Sequence, residues 1–275
     1  MQIFEIKEPE APIEKRQEIA VGIDFGTTNS LVAYSKNHKP YIIDGELVPS
    51  VIGDIRSIKR LVGKSFDEIT CTIKKYVKEE NGKLKIKIDG KYYTIQHAIS
   101  LILKFLKNKA ESHLKEEVHK AVITVPAHFD DVMRSCIKEA AGLAGLEVLR
   151  LISEPTAAAY AYGLENGSEG VYAVYDFGGG TFDVSLLRMQ MGVFQVLATN
   201  GDMNLGGDDI DHIILDHLHK QNQDATIDMA KSAKEYLAHN DIWEDKKLGL
   251  KLDKMSFETL ILPILERTIN ITKSV

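Results

Sequence analysis

Two short stretches combine residue types that could handle phosphate. In "VGIDFGTTNS", Asp24 precedes Gly26, Thr27, Thr28 and Asn29; in "YDFGGGTFDVS", Asp176 precedes Gly178, Gly179, Gly180 and Thr181, and Asp183 follows. Glycines let backbone N–H groups approach an anion without interference from Cβ, and successive N–H groups pointing one way make an anion-binding concavity. Threonine hydroxyls add donors. The carboxylates would repel a bare phosphate, so they fit beside one only if a hard cation such as Mg2+, still carrying waters, lies between. The combination points to a magnesium-bound nucleotide. Neither stretch is a G-x-x-x-x-G-K-[ST] loop, and neither opens a helix as a G-x-G-x-x-G fingerprint must. A glycine run between strands is more often a plain hairpin turn. What favours the phosphate reading is the second copy, with Asp-Phe-Gly in the same place.

The elements that must position these loops can be read from patterning. Residues 19–35 read as strand, tight turn, strand. Residues 84–95 read as a hairpin turning at Asp89-Gly90. A helix follows, with Ile99, Leu103 and Leu106 on one stripe. "KAVITVP" is a short buried strand ended by Pro126, and "DDVMRSCIKEAAGLAG" a helix closed at Gly142 or Gly145. "EVLRLIS" gives a strand, and "EPTAAAYAYG" a helix with proline in its first turn. Around Glu165–Ser168 the composition turns polar, and strand, glycine turn and strand begin again. A boundary there separates two related lobes whose turns face each other.

Composition narrows the classes. The 275 residues are 44% hydrophobic and 27% charged, with no run approaching the ~20 apolar residues of a membrane span. Net charge is −6 and the lysines are scattered among acids, which argues against nucleic-acid binding. Cys71 and Cys136 cannot build a disulfide framework or a C-x-x-C site. The first 18 residues, charged and with prolines, read as a leader rather than a secretory signal, so the chain is expected to be soluble and cytoplasmic.

Together, "GIDFGTTNS", "AVITVPAHF", "AAGLAGLEVLRLISEPTAAAYAYG", "VYDFGGGTFDVS" and "LATNGDMNLGGDDID", in this order, resemble the DnaK-type chaperones of the seventy-kilodalton heat-shock protein family. "RSIKRLVGKSFDEI" and "GVFQVLATNGD" look most like its HscA-like branch, which serves iron–sulfur-cluster assembly. The resemblance implies an α/β, actin-like (ribonuclease-H-like) ATPase fold: a leader (1–18), lobe I (19–165) and lobe II (166–275), with Mg-ATP or Mg-ADP in the cleft. Asp24, Glu154 and Asp176 would reach Mg2+ through water. Asp24, Glu154, Asp176, Thr181 and Asp183 would form the catalytic set. Gly26, Thr27, Thr28, Asn29, Gly178, Gly179, Gly180, Gly206, Gly207 and Lys234 would hold nucleotide. Pro126, Arg134 and Arg150 match the family's proline switch and relay. Implied partners are a J-domain co-chaperone and an iron–sulfur scaffold protein, with no nucleic acid and no membrane.

Three departures lower the expected activity. The family carries, after its "(L/V)PS" element, a long segment with the lysine that contacts the γ-phosphate; here "LVPSVIGDIRSIKRLVGKSF" passes almost directly to "IKRL". Lys59 and Lys64 align with that later helix, so no lysine is expected in the role, at a cost of roughly 10²–10³ in rate. In the adenosine-clamping helix only Lys234 matches, with Lys231 and Glu235 replacing the acid and arginine. The third is the end of the sequence inside a helix, which implies an unfinished second lobe and no peptide-binding domain. ATP hydrolysis is therefore expected to be weak or absent. A non-catalytic remnant or interaction module is the competing reading, and a sugar- or acetate-kinase relative a third. His128 reads as a packing substitution, His212, His217 and His219 as a solvated helix face, and Trp243 as a packing anchor.

Overall fold

Alternation builds the first sheet. Strand β1 (Ala20–Phe25) buries Val21, Ile23 and Phe25 and pairs antiparallel with β2 (Asn29–Lys36), leaving only Gly26–Thr28 for the turn. In the computed structural model, which describes residues 19–69, 72–166, 169–191 and 193–275, β2 continues into β3 (Lys39–Ile42) and also pairs with the short β4 (Val48–Pro49). A separate antiparallel sheet follows: β5 (Val77–Glu80), β6 (Lys83–Ile88) and β7 (Lys91–Thr94). Its β6–β7 turn uses Asp89 and Gly90, both at positive φ, as the sequence pattern required.

Helix α1 (Ile95–Leu114) opens where Thr94 Oγ1 accepts from the His97 N–H, and buries Ile95, Ile99, Ile102, Leu103 and Leu106 at helical spacing. Strand β8 (Lys120–Val125), helix α2 (Asp131–Leu143) and strand β9 (Glu147–Ser153) then complete the first sheet in the order β3-β2-β1-β8-β9, with β8 parallel to both β1 and β9. Asp130 caps α2, and Gly145 at φ +76 turns the chain out of it. Helix α3 (Glu154–Asn166) starts directly from the end of β9.

The second sheet is an antiparallel meander, β10 (Gly170–Phe177), β11 (Phe182–Gln190) and β12 (Val193–Asp202). Its β10–β11 turn corresponds to the β1–β2 turn of the first sheet. Helices α4 (Gly207–His219) and α5 (Ile227–Leu237), the hairpin β13 (Ile242–Asp245) with β14 (Leu250–Asp253), and α6 (Lys254–Thr272) follow.

Most buried hydrophobic side chains of the described residues fall into two clusters. One gathers Val21, Phe25, Ile99, Leu103, Ile123 and Ile137; the other gathers Phe182, Ile214, Leu218, Leu237, Trp243 and Leu252. Cys136 lies partly buried beside the first, its thiol pushed up to about 11 by burial and by Glu139. Cys71 and the first 18 residues lie outside the described residues. No helix among them is long and apolar enough to cross a membrane.

Trp243, the chain's single tryptophan, is buried in the second cluster, so its fluorescence reports that core alone. Replacing the fully buried Ile214 by alanine in the same cluster removes packed methyl groups and leaves a cavity. It is expected to cost about 2–5 kcal/mol, read as a lower urea midpoint of the Trp243 signal. A midpoint unchanged from wild type would contradict this placement.

Candidate functional site

Asp24 lies in β1 and Asp176 in β10, each just before its glycine turn, and the Thr124 hydroxyl of β8 donates to Asp24 Oδ1 at 2.6 Å. Glu154 is the first residue of α3. Asp183 is 2% exposed and sits opposite Asp176 across the β10–β11 pair. Burial raises the pKa of Asp176 above its ordinary value, as do Asp183 and Asp24, against the pull of Lys59. Burial likewise raises Glu154, and Lys59 opposes it. These four carboxylates form one electrostatically coupled wall.

A lysine does reach this wall, contrary to the sequence expectation. Lys59, 4% exposed, donates from Nζ to Glu154 Oε1 at 2.6 Å and to the Phe25 carbonyl at 2.6 Å. The physical reason is the short connection after Ser50. Ser50 is tied to the β1–β2 turn through its N–H to the Thr28 carbonyl and its hydroxyl to Ser30. The chain therefore returns at once to the site, and "IKRL" forms a single 3-10 turn, Ile58–Leu61, instead of a remote helix. A Lys-Arg pair flanked by Ile58, Leu61 and Val62 was the available signal, because cations inside an apolar run need buried counter-charges.

Arg60 does the corresponding work across the cleft. Its Nε donates to the Gly180 carbonyl at 2.8 Å, and its two terminal nitrogens bond both oxygens of Asp209 on α4, a bidentate pair. Ser57 donates to Asp208, Arg56 pairs with Asp228 on α5 at 3.0 Å, and Lys64 bonds Asn204. Residues 56–64 thus join the first core to the second.

The glycines are sterically required. A Cβ on Gly26 would lie 2.1 Å from the Asn29 carbonyl oxygen, and one on Gly179 would lie 1.7 Å from Thr28 Oγ1. On Gly180 it would meet Thr27 and Arg60, and on Gly206 the Gly179 carbonyl at 2.5 Å. The β1–β2 and β10–β11 turns touch. The amides of Gly207 and Asp208, at the start of α4, donate to the carbonyls of Gly178 and Gly179. Beside this contact lies a cavity of about 480 Å³, lined by Thr27, Thr28, Asn29 and Tyr76 on one side and by His212 and Lys231 on the other.

Lys234 does not face that cavity: its Nζ pairs with Asp211 at 2.7 Å and donates to the Gly207 carbonyl. Arg134 donates from Nε to the Phe129 carbonyl, close to the buried Pro126, and lines a shallow groove with the exposed Arg150. His128 is no mere packing group, since its Nδ1 lies 2.7 Å from Asp183 Oδ1. His212 bonds the Asp208 carbonyl and His219 the Ala225 carbonyl. Among the described residues no group of three or more His, Cys, Asp or Glu side chains could hold a metal directly.

The molecule is therefore an α/β protein of two cores, with paired glycine–threonine turns meeting at a carboxylate wall. Residues 46–241 match the family model described as Hsp70 protein, and the chain belongs to that family. It is HscA-like over nearly its whole length. It is 48% identical to the chaperone protein HscA homolog of Rickettsia felis over 300 aligned residues, which take in 99% of this chain and 47% of the relative. The homologs of Rickettsia rickettsii, strain Sheila Smith, and Rickettsia typhi are 47% and 46% identical, again with 99% of this chain and 50% and 51% of theirs. The chain spans about half the length of the curated relatives it matches. Against 300 aligned positions this chain has 275 residues, so at least 25 positions have no residue here.

Lys59→Met strands Glu154 without its counter-ion and is expected to cost about 3–5 kcal/mol in denaturant unfolding. Adding Glu154→Gln should recover most of that loss, and a double-mutant cycle with no coupling would show the pair to be incidental. Asp176→Asn tests the wall's self-repulsion. Because the folded-state pKa of Asp176 lies above its ordinary 3.8, wild type loses stability as pH rises above that value. The variant should be the more stable of the two at pH 7, by an amount that solvent screening of the partly exposed carboxylate reduces. The difference should shrink as pH is lowered towards 3.8, which thermal melts across pH will show.

Proposed function

We propose that this chain is the ATP-binding and hydrolysing part of an HscA-like Hsp70 chaperone. On this reading its two cores are the lobes of an actin-like ATPase fold, residues 19–165 and 166–275, behind a leader of residues 1–18. The observation that carries the reading is the meeting of the two glycine–threonine turns beside a carboxylate wall that holds a buried lysine.

The residues fit a magnesium nucleotide. Thr28 Oγ1, on the turn that lines the cavity, is buried without a hydrogen-bond partner. The cavity of about 480 Å³ is of the size that small ligands occupy. Gly26, Thr27, Thr28 and Asn29 would hold the phosphates from one side, and Gly178, Gly179, Gly180 and Thr181 from the other. Arg60 bridges both sides, so admitting phosphate requires the turns to part. Gly206 and Gly207 start the helix behind the second turn, and Lys234 acts by steadying that helix start through Gly207. Asp24, Asp176 and Glu154 would hold Mg2+ through water, and the ion supplies charge neutralisation of the phosphates when bound.

Hydrolysis needs a water oxygen to bond the terminal phosphorus while the bond to the bridging oxygen breaks and its electron pair leaves with ADP. Asp176 and Asp183 orient that water and take up its proton, and Lys59 neutralises charge on the transferring group. Lys59 thereby fills the role for which no lysine was expected. Pro126, Arg134 and Arg150 lie where a nucleotide-dependent signal could leave the site. We assign the chain to the cytoplasm, and to work with a J-domain co-chaperone and an iron–sulfur scaffold protein. The competing reading, a non-catalytic remnant or interaction module, is favoured by the direct contact of the two turns.

Calorimetric titration of folded protein with Mg-ATP and Mg-ADP is expected to give saturable heat. None at millimolar nucleotide would sink the proposal. In single-turnover phosphate release, Thr181→Ala and Asp176→Asn should each fall by about 10²–10³. Absence of heat supports the competing reading, and equal rates in all three proteins identify contamination.

A further inference from the structure

The end of β8 and the turn after it touch both lobes. Thr124 donates to Asp24 of the first sheet, and four residues later His128 meets Asp183 of the second, Nδ1 to Oδ1 at 2.7 Å. The turn that carries His128 is braced. The Phe129 amide donates to the Pro126 carbonyl, Arg134 Nε to the Phe129 carbonyl, and the Met133 amide to Asp130 at the cap of α2. The Phe129 ring stands edge-on to the imidazole at 5.6 Å.

Asp183 is almost fully buried and faces the like charge of Asp176 on the neighbouring strand. A buried carboxylate without donors is costly, and a carboxylate beside another has no preferred orientation unless a donor fixes it. His128 is that donor: with Asp183 ionised, Nδ1 carries the proton and Nε2 is left with a lone pair. Nε2 is buried and has no hydrogen-bond partner, a cost of about 1–3 kcal/mol that an aromatic of pure packing value would not incur.

Resting on the ATP-hydrolysis reading above, we infer that His128 is a positioning residue for that reaction. It holds Asp183 Oδ1 across the boundary between the lobes, so that Oδ2 is aimed at the attacking water.

Two substitutions separate donation from packing. His128→Phe keeps a ring and removes the donor; His128→Asn places an amide N–H where Nδ1 was. In single-turnover hydrolysis of Mg-ATP the Phe variant is expected to slow by about 10–100-fold and the Asn variant to stay within about fivefold of wild type. The dissociation constant for Mg-ATP should remain within about threefold in both. Equal rates in all three proteins, or an Asn variant as slow as Phe, would overturn the inference. An independent readout is the proton spectrum of the whole chain with 15N-labelled histidine. His128 should show a low-field Nδ1–H slow to exchange, absent from both variants. Its absence in wild type overturns the inference whatever the activity. Its presence in a wild-type chain that hydrolyses no ATP upholds the His128–Asp183 link and counts against the ATPase reading alone.

Discussion

The ammonium of Lys59 is the constraint around which the site is arranged. Asp24, Glu154, Asp176 and Asp183 converge from β1, α3, β10 and β11, and such a group of carboxylates cannot remain ionised together without a compensating charge. Lys59 supplies it from within, bonded to both Glu154 and the Phe25 carbonyl. Removing an ammonium from water is itself unfavourable, so the ion pair and the carbonyl bond must both be made for either partner to be tolerated. This mutual dependence draws the 3-10 turn of Ile58–Leu61 under the wall, and with it Arg60, whose guanidinium reaches Gly180 and Asp209 in the other core. The cross-cleft joint therefore follows from the need to neutralise the wall.

The joint is directional. Ser57, Arg60 and Lys64 all lean from one nine-residue stretch (56–64) onto Asp208, Asp209 and Asn204, around the start of α4, while Arg56 reaches Asp228 at the start of α5. Both helix starts are thus tied to that stretch. The turns they bracket have no slack, because Thr27 and Thr28 lie directly on Gly180 and Gly179. Opening must separate surfaces that fit without side chains between them, and it breaks charged hydrogen bonds that have water as their replacement partner.

Local order was legible in the residues, and long-range electrostatics were not. The Asp89-Gly90 turn, the stripe of Ile99, Leu103 and Leu106, and the glycine turns after Asp24 and Asp176 each depend on neighbours a few positions away, and the structure bears them out. Trp243 is buried, in keeping with a packing role. The contact of Lys59 with the wall is not legible in sequence because its partner is 95 residues away. His128 reads from sequence as a packing substitution for the same reason: Asp183 lies 55 residues on, and nothing beside His128 in the sequence announces it. Lys234 was singled out by resemblance, yet its bond to Asp211 on α4 is a contact no local pattern exposes.

The spacing of Thr124 and His128 has an evolutionary side. The end of β8 and the turn after it place a partner beside an aspartate of each sheet, so the two positions form a single heritable unit. A one-residue insertion between them would leave Asp24 served and move the donor of Asp183 out of reach. Sequence drift on this segment is therefore restricted to changes of side chain at fixed length.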